Sequence, residues 1–367
     1  MERVVTKFSI LVAGGWSKER LIPALVIAEN LRRKGVMMIF CAEKNALEFT
    51  LLKDTNYEVV EMPPYTERGG FFNSIKRKIS FKPSVSAAEK IIQTKKIHAV
   101  LALGGPSSLP VVAAAKAKKI PIFLMEQNCL LSPVNEEIAV DATRIYAPLE
   151  ETASGFDRKK FLISGVPVRR EILDASPRNI PTDKKLLCIF SCKRNSNSIN
   201  ELIKSFFKRY PEFSSKFFVI HETGEREVAD LQIFYDKNGI ESLCYMNYES
   251  RGKYYKTADL LICRPSSDIV SETLGTGKPA VYIALPEKMD QYQLKNGAVL
   301  SRKGCGYVVA DSGSMQGRVK KFHAAISDFL KNPERMKQNI RDLHFPTASG
   351  RIADDIFMTM SRIKGTG

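Results

Sequence analysis

The sequence has no CxxC pair, one tryptophan, four histidines and no apolar run long enough to cross a bilayer. Cys188 and Cys192 are separated by three intervening residues with no His/Cys cluster beside them, which argues against a zinc site. The other cysteines, Cys41, Cys129, Cys244, Cys263 and Cys305, are scattered, several in strand-like apolar runs. Unpaired thiols so placed read as reduced core residues of a cytosolic protein, not as a disulfide framework. Met1 leads through a polar start into a strand, without a signal-peptide profile. Any work at a membrane is therefore expected from its surface. Acidic residues are also in short supply, 40 against 56 basic ones, giving a net charge of +16 and a pI near 9.4. Such a balance implies an anionic partner: nucleic acid, an anionic bilayer or a phosphorylated substrate. No nucleic-acid recognition module is visible and the basic residues are dispersed, so no nucleic acid is expected.

What is present suits two domains of ordinary size: 367 residues, 44% of them apolar. The most informative stretch runs from Cys263 to Ala298, where a short apolar strand enters a Ser-rich turn, a helix and a second strand. Pro265, Ser266 and Ser267 place unpaired backbone N–H groups at a helix start, where the dipole favours an anion. Glu272 follows on that helix, and a carboxylate there can accept hydrogen bonds from both hydroxyls of a ribose. With Gly275, Gly277, Lys278, Pro279, Asp290, Gln293 and Asn296 it forms a pattern suited to a sugar nucleotide.

Strand-like and helix-like runs alternate along the first half: strand 8–13 ending in Gly14-Gly15, helix 23–34, strand 36–41, strand 98–103 closed by Gly104-Gly105, helix 109–118 and strand 121–125. Residues 168–185 have a linker's composition, after which strand 186–191, helix 200–208 and strand 216–221 restart the series. The expected fold is α/β, two tandem Rossmann-like doubly wound domains with a cleft between them. Their expected limits are 1–167 and 186–345, with a C-terminal helix over 349–364 joining the first.

In order and spacing, the motifs resemble the MurG family of glycosyltransferases. They are Gly14-Gly15 with Pro23-Ala24, Gly104-Gly105 with Ser108 and Pro110, Glu126-Gln127-Asn128, Gly165 with Pro167-Val168-Arg169, His221 with Thr223-Gly224, Ala258-Asp259, Cys263-Arg264, Ser271-Glu272, and Asp290 with Gln293 and Asn296. The resemblance implies a GT-B fold and inverting, metal-independent transfer of N-acetylglucosamine from its UDP donor to a polyprenyl-pyrophosphate-linked acceptor, the lipid I to lipid II step of peptidoglycan synthesis. No cofactor or metal is expected, and no obvious DxD motif stands in the relevant segments. Carried over one at a time, Glu272 falls on the carboxylate that holds the donor ribose, Arg169 near the uracil, Tyr248 against the base, and Gln293 and Asn296 on the sugar side. Tyr292 replaces a first glutamine. Gly104, Gly105, Ser108, Gln127 and Asn128 are implied on the acceptor side.

Two loops depart from the family pattern. After Gly14-Gly15 the chain reads Trp16 to Ile22 and lacks the family's loop histidine, Arg20 standing in its place; Lys18 and Arg20 can hold an acceptor pyrophosphate. The second glycine-rich loop reads Ser191 to Ser196, with Lys193 and Arg194 offered to the donor phosphates. With no histidine suitably placed, the candidates for removing the acceptor proton are Glu19 and Glu126. These departures leave two alternatives, a relative that binds without transfer and a glycolipid synthase acting on a diacylglycerol-type lipid. Finally, residues 70–82 interleave Phe71, Phe72, Ile75, Ile79 and Phe81 with Lys76, Arg77, Lys78 and Lys82, an amphipathic helix suited to an anionic membrane surface. Together these imply a peripheral protein on the cytoplasmic face of the inner membrane.

Overall fold

The computed structural model describes residues 8–14, 18–43, 47–53, 55–65, 71–191, 196–246, 251–343, 345 and 347–365. The chain forms two compact units, Met1–Val168 with Thr347–Gly367, and Arg169–Pro346.

The first unit runs β1 (Phe8–Ala13), α1 (Lys18–Arg33), β2 (Val36–Glu43), α2 (Leu47–Lys53), β3 (Glu58–Met62), α3 (Phe71–Thr94), β4 (Ala99–Ala102), α4 (Leu109–Ala117), β5 (Ile122–Met125), α5 (Pro133–Asp141), β6 (Arg144–Ala147) and β7 (Phe161–Ile163). Its seven strands lie in the order β3-β2-β1-β4-β5-β6-β7, each pair parallel. β1, β4 and β5 are buried along their whole length, as a sheet covered on both faces requires. The order reverses between β1 and β4, so the carboxyl ends of these strands form a topological switch point, where open α/β sheets bind ligands.

The second unit runs α6 (Arg170–Leu173), β8 (Lys185–Phe190), α7 (Ser196–Arg209), β9 (Phe217–Thr223), α8 (Val228–Lys237), β10 (Ser242–Met246), α9 (Gly252–Thr257), β11 (Leu260–Cys263), α10 (Ser267–Thr276), β12 (Ala280–Ala284), α11 (Gln293–Arg302), β13 (Gly306–Ala310), α12 (Met315–Lys331) and α13 (Pro333–Asp342). Its parallel sheet has the order β10-β9-β8-β11-β12-β13, reversing between β8 and β11. The last helix, α14 (Ala348–Gly365), belongs to the first unit. It buries Ile352, Ala353, Ile356 and Met360 in that unit's core, and Asp355 accepts hydrogen bonds from Arg144 Nε (3.2 Å), Arg144 Nη2 (2.9 Å) and the Tyr146 hydroxyl (2.9 Å).

Three expectations change. Helix α1 begins at Lys18, five residues before the proline expected to open it, and Pro23 lies inside. So near the helix start the proline removes only the N–H that would reach the Glu19 carbonyl. Residues 168–185 are more than a linker: from Arg169 they group with the second unit, and Ile172 on α6 is fully buried. A Cβ on Gly252 would stand 2.4 Å from the Glu171 carbonyl oxygen, so this close packing admits only glycine. Helix α3 continues to Thr94, and Phe81, read with the membrane-facing residues, packs into the first unit's core with its ring 5.5 Å from that of Tyr65.

Candidate functional site

In the second unit the Pro265 turn leaves β11 at the switch point. Ser266 adopts extended backbone as the N-cap of α10, and its hydroxyl donates to Asp268 Oδ1 (2.5 Å) and does not cap the helix. Ser267 is the first helical residue, its carbonyl taken by the Ser271 hydroxyl at 2.6 Å. Gly277, at φ +66°, closes α10 in the left-handed conformation that favours glycine. Glu272 is nearly buried, and its two oxygens differ. The Tyr255 hydroxyl donates to Oε2 at 2.7 Å, while Arg169 Nη2 stands 3.9 Å from Oε1. Burial pushes the Glu272 carboxyl above the usual carboxylate range and the Asp268 charge adds to this, while Arg251, the Tyr255 hydroxyl and Arg169 pull the other way.

Gln293 opens α11. Its Oε1 accepts the Leu285 N–H (3.1 Å) and its Nε2 donates to Asp290 Oδ2 (3.1 Å), while Asp290 Oδ1 accepts the N–H groups of Tyr292 and Gln293. The amide thus fastens the β12–α11 connection and keeps one N–H hydrogen for anything else. Asn296 Nδ2 donates to the Pro265 carbonyl (3.2 Å), tying α11 to the turn that starts α10.

The sequence reading missed the charged groups beneath these turns. Asp311, just after β13, meets Arg264 at 2.8 Å, pairs with Arg318, and accepts from Ser198. Burial pushes its carboxyl up, but the Ser198 hydroxyl and the two guanidiniums outweigh that and hold it below its usual range. Glu222, fully buried at the end of β9, accepts from Arg251 Nε at 2.5 Å and from the Tyr245 hydroxyl at 3.3 Å. A carboxylate at the end of an apolar strand was the available signal; its partner comes from an element far along the chain. His221, next to it, is equally buried and lies between Ser191 Oγ (3.0 Å) and the Tyr235 hydroxyl (2.7 Å), and burial lowers its pKa to about 3.

In the first unit the carboxyl ends of β1, β4 and β5 meet. A Cβ on Gly14 would lie 2.3 Å from the Gly104 carbonyl oxygen, and one on Gly104 2.4 Å from Asn135 Oδ1. Gly104 and Gly105 have φ of +80° and +83°, and the Ser108 hydroxyl donates to the Gly105 carbonyl at 2.6 Å. Glu126 departs from the role of proton acceptor. Its Oε1 accepts Gln127 N–H (2.8 Å), Asn128 N–H (2.8 Å) and Asn128 Nδ2 (3.1 Å); its Oε2 accepts Ser132 N–H (3.0 Å) and Asn135 Nδ2 (2.7 Å). Five donors fill the roughly four lone-pair sites of a carboxylate, leaving none for a substrate hydroxyl. Glu126 instead pins the turn between β5 and α5 and thereby fixes Gln127 and Asn128. Gln127 Nε2 donates to the Arg20 carbonyl at 3.1 Å, joining this turn to α1. Among the described residues, two buried amide oxygens here, Gln127 Oε1 and Asn135 Oδ1, find no donor.

Lys193, Arg194 and Tyr248 lie outside the described residues, as do the side chains of Lys18, Glu19, Phe71, Phe72, Ile75, Lys76, Arg77 and Ile79. No helix among the described residues is long and apolar enough to cross a membrane.

Residues 10–147 match the family model for the glycosyltransferase family 28 N-terminal domain, and residues 187–352 that for the family 28 C-terminal domain. A Geobacter metallireducens relative named UDP-N-acetylglucosamine--N-acetylmuramyl-(pentapeptide) pyrophosphoryl-undecaprenol N-acetylglucosamine transferase is 28% identical over 335 residues, 89% of this chain and 91% of its own. A Solibacter usitatus relative of the same name is 26% identical over 357 residues, 95% of each chain. Among solved structures, MurG of Acinetobacter baumannii aligns with a TM-score of 0.78 at 20% identity, over 96% of this chain and 99% of that one. The calicheamicin glycosyltransferase CalG4 aligns at 0.68 and 14% identity, over 97% and 99%. These structural likenesses show the fold, and the two matched models account for both halves in order: the chain belongs to glycosyltransferase family 28.

Proposed function

We infer that this protein transfers N-acetylglucosamine from UDP-N-acetylglucosamine to the muramyl peptide carried on undecaprenyl pyrophosphate, converting lipid I to lipid II. The reaction named for its relatives supports this, and the observation that carries it is Glu272: a buried carboxylate at the switch point of the second unit, beside Arg169, with one oxygen open to a ribose. On this reading the second unit takes the donor. Glu272 receives the ribose hydroxyls, Arg169 and Tyr248 border the uracil, and the amides at Ser266 and Ser267, with Lys193 and Arg194, face the diphosphate. Gln293, through its one remaining N–H hydrogen, and Asn296 address the sugar.

The first unit takes the acceptor. Gly104, Gly105 and Ser108 allow close backbone approach, Gln127 and Asn128 are fixed by Glu126, and Lys18 and Arg20 supply charge for the pyrophosphate. As the anomeric bond to UDP breaks, the acceptor hydroxyl must lose its proton; with Glu126 committed to its turn, Glu19 is the base candidate that remains. Inverting, metal-independent transfer is the mode that the family resemblance implies. Helix α3 docks the protein peripherally on the anionic cytoplasmic face of the inner membrane.

The test is UDP release from UDP-N-acetylglucosamine by the purified protein, with and without a lipid I analogue, in detergent at low salt. Acceptor-dependent release is expected, and Glu19→Gln should lower kcat at least tenfold with little change in donor KM. Saturable UDP binding with no release would instead mark a relative that binds without transfer. Release driven by diacylglycerol, but not by the lipid I analogue, would assign a glycolipid synthase.

A further inference from the structure

The two oxygens of Glu272 are unequally employed, and the cause is Tyr255. This tyrosine lies on α9, is fully buried, and packs its ring 5.0 Å from that of Phe190 at the end of β8. Its hydroxyl reaches Glu272 Oε2 at 2.7 Å across a sequence separation of 17 residues. Among the described residues no donor stands within hydrogen-bond distance of Oε1; its nearest cation, Arg169 Nη2, is 3.9 Å away. The Glu272 side chain keeps 12% of its exposure, and with Oε2 engaged by Tyr255, Oε1 is the oxygen with acceptor capacity left.

A free Glu side chain can rotate about its last torsion and offer either oxygen. Here the Tyr255 hydroxyl, held by a ring that cannot move without disturbing Phe190, removes that freedom. We propose that Tyr255 is a positioning residue for the donor site: by occupying Oε2 it fixes the carboxylate plane, so that Oε1, flanked by Arg169, is presented to the vicinal hydroxyls of a nucleotide ribose. Preorganisation of this kind strengthens binding because less freedom is lost when the ligand arrives. It also makes the site a gauge for the sugar of the nucleotide, since a ligand without those hydroxyls gains nothing from an oriented carboxylate.

The inference rests on the assignment of Glu272 to the ribose, and the experiment separates the two. Binding of UDP and of its 2′,3′-dideoxy analogue is measured calorimetrically for the wild type, Tyr255→Phe and Glu272→Gln. Tyr255→Phe deletes a single oxygen and keeps the ring against Phe190; its thermal unfolding is followed in parallel. The expected result is that Tyr255→Phe weakens UDP about tenfold, leaves the dideoxy analogue within about twofold, raises donor KM and leaves kcat near that of the wild type. Equal losses for the two ligands, or no loss for either, would overturn the positioning role. If Glu272→Gln also leaves the preference for UDP over the dideoxy analogue intact, the ribose assignment itself fails; if Glu272→Gln abolishes the preference while Tyr255→Phe keeps it, only the role of Tyr255 fails.

Discussion

Glu126→Gln would put an amide where five donors converge, so that at least one N–H would face another N–H. Hydrogen bonds to a charged acceptor contribute about 1.5–3 kcal/mol each, and part of that network would survive on the remaining oxygen. The variant should lose about 2–3 kcal/mol of first-unit stability in urea unfolding. A lower kcat with unchanged stability would return Glu126 to the catalytic candidates. Glycine offers a second comparison at this scale. Gly104 and Gly155 share left-handed φ values of +80° and +83°, but a Cβ on Gly104 meets Asn135 Oδ1 at 2.4 Å, whereas one on Gly155 meets nothing within 4 Å. Backbone strain alone costs about 1–2 kcal/mol. Gly155→Ala should show that cost, and Gly104→Ala should exceed it by 1 kcal/mol or more of the order expected for overpacking, about 1–3 kcal/mol, read from the difference in unfolding midpoints.

Elements of the second unit are joined by His221, which links β9 to Ser191 after β8 and to Tyr235 on α8. Ser191 spends its single hydroxyl hydrogen on the Glu222 carbonyl (3.0 Å), so the network assigns the hydrogen to His221 Nε2 and leaves Nδ1 to accept from Tyr235. Burial of the ring, with the Lys204 charge adding to it, disfavours the imidazolium and lowers the pKa to about 3. Between this value and the ordinary value of 6.5 the unfolded chain binds a proton that the folded one does not. This contribution to stability is complete above pH 6.5 and falls by about 1.4 kcal/mol per pH unit below it. Urea unfolding of the wild type from pH 7 to pH 5 should show this slope, and His221→Gln should flatten it. The same scale explains what could be read from sequence. β1, β4, β5 and β8 were legible as apolar runs, and Glu272 was legible as a candidate because its turn, helix and flanking strand are contiguous. β3 and β7 escaped, being edge strands: one is half exposed, EVVEM, and the other three residues long. Tyr255, Arg251 and Asp311 escaped because their partners arrive from other elements, and only the folded sheet brings them to one edge. Glu126 was legible as a position but not as a role, since its donors Ser132 and Asn135 come from the next helix start.

At the scale of the whole molecule the +16 net charge must be separated from its placement. A diffuse positive field draws any anionic surface, whereas the proposed docking helix concentrates attraction at residues 70–82, where cations alternate with Phe and Ile. Cosedimentation with phosphatidylglycerol-rich vesicles should be strong at low salt and fall as the Debye length shrinks from about 8 Å at physiological ionic strength to about 3 Å at 1 M. Salt dependence alone fits both pictures, so the deciding comparison uses two charge-matched variants. Lys76→Glu with Arg77→Glu alters the segment on α3, while Lys320→Glu with Lys321→Glu makes the same change in net charge on an exposed turn of α12. The first pair should weaken vesicle binding at least tenfold more than the second, because two cations at the interface, each worth about 1 kcal/mol near an anionic surface, become repulsive there. Equal losses would assign the attraction to net charge and remove α3 as the docking element, while acceptor-dependent UDP release in detergent would be untouched by either outcome.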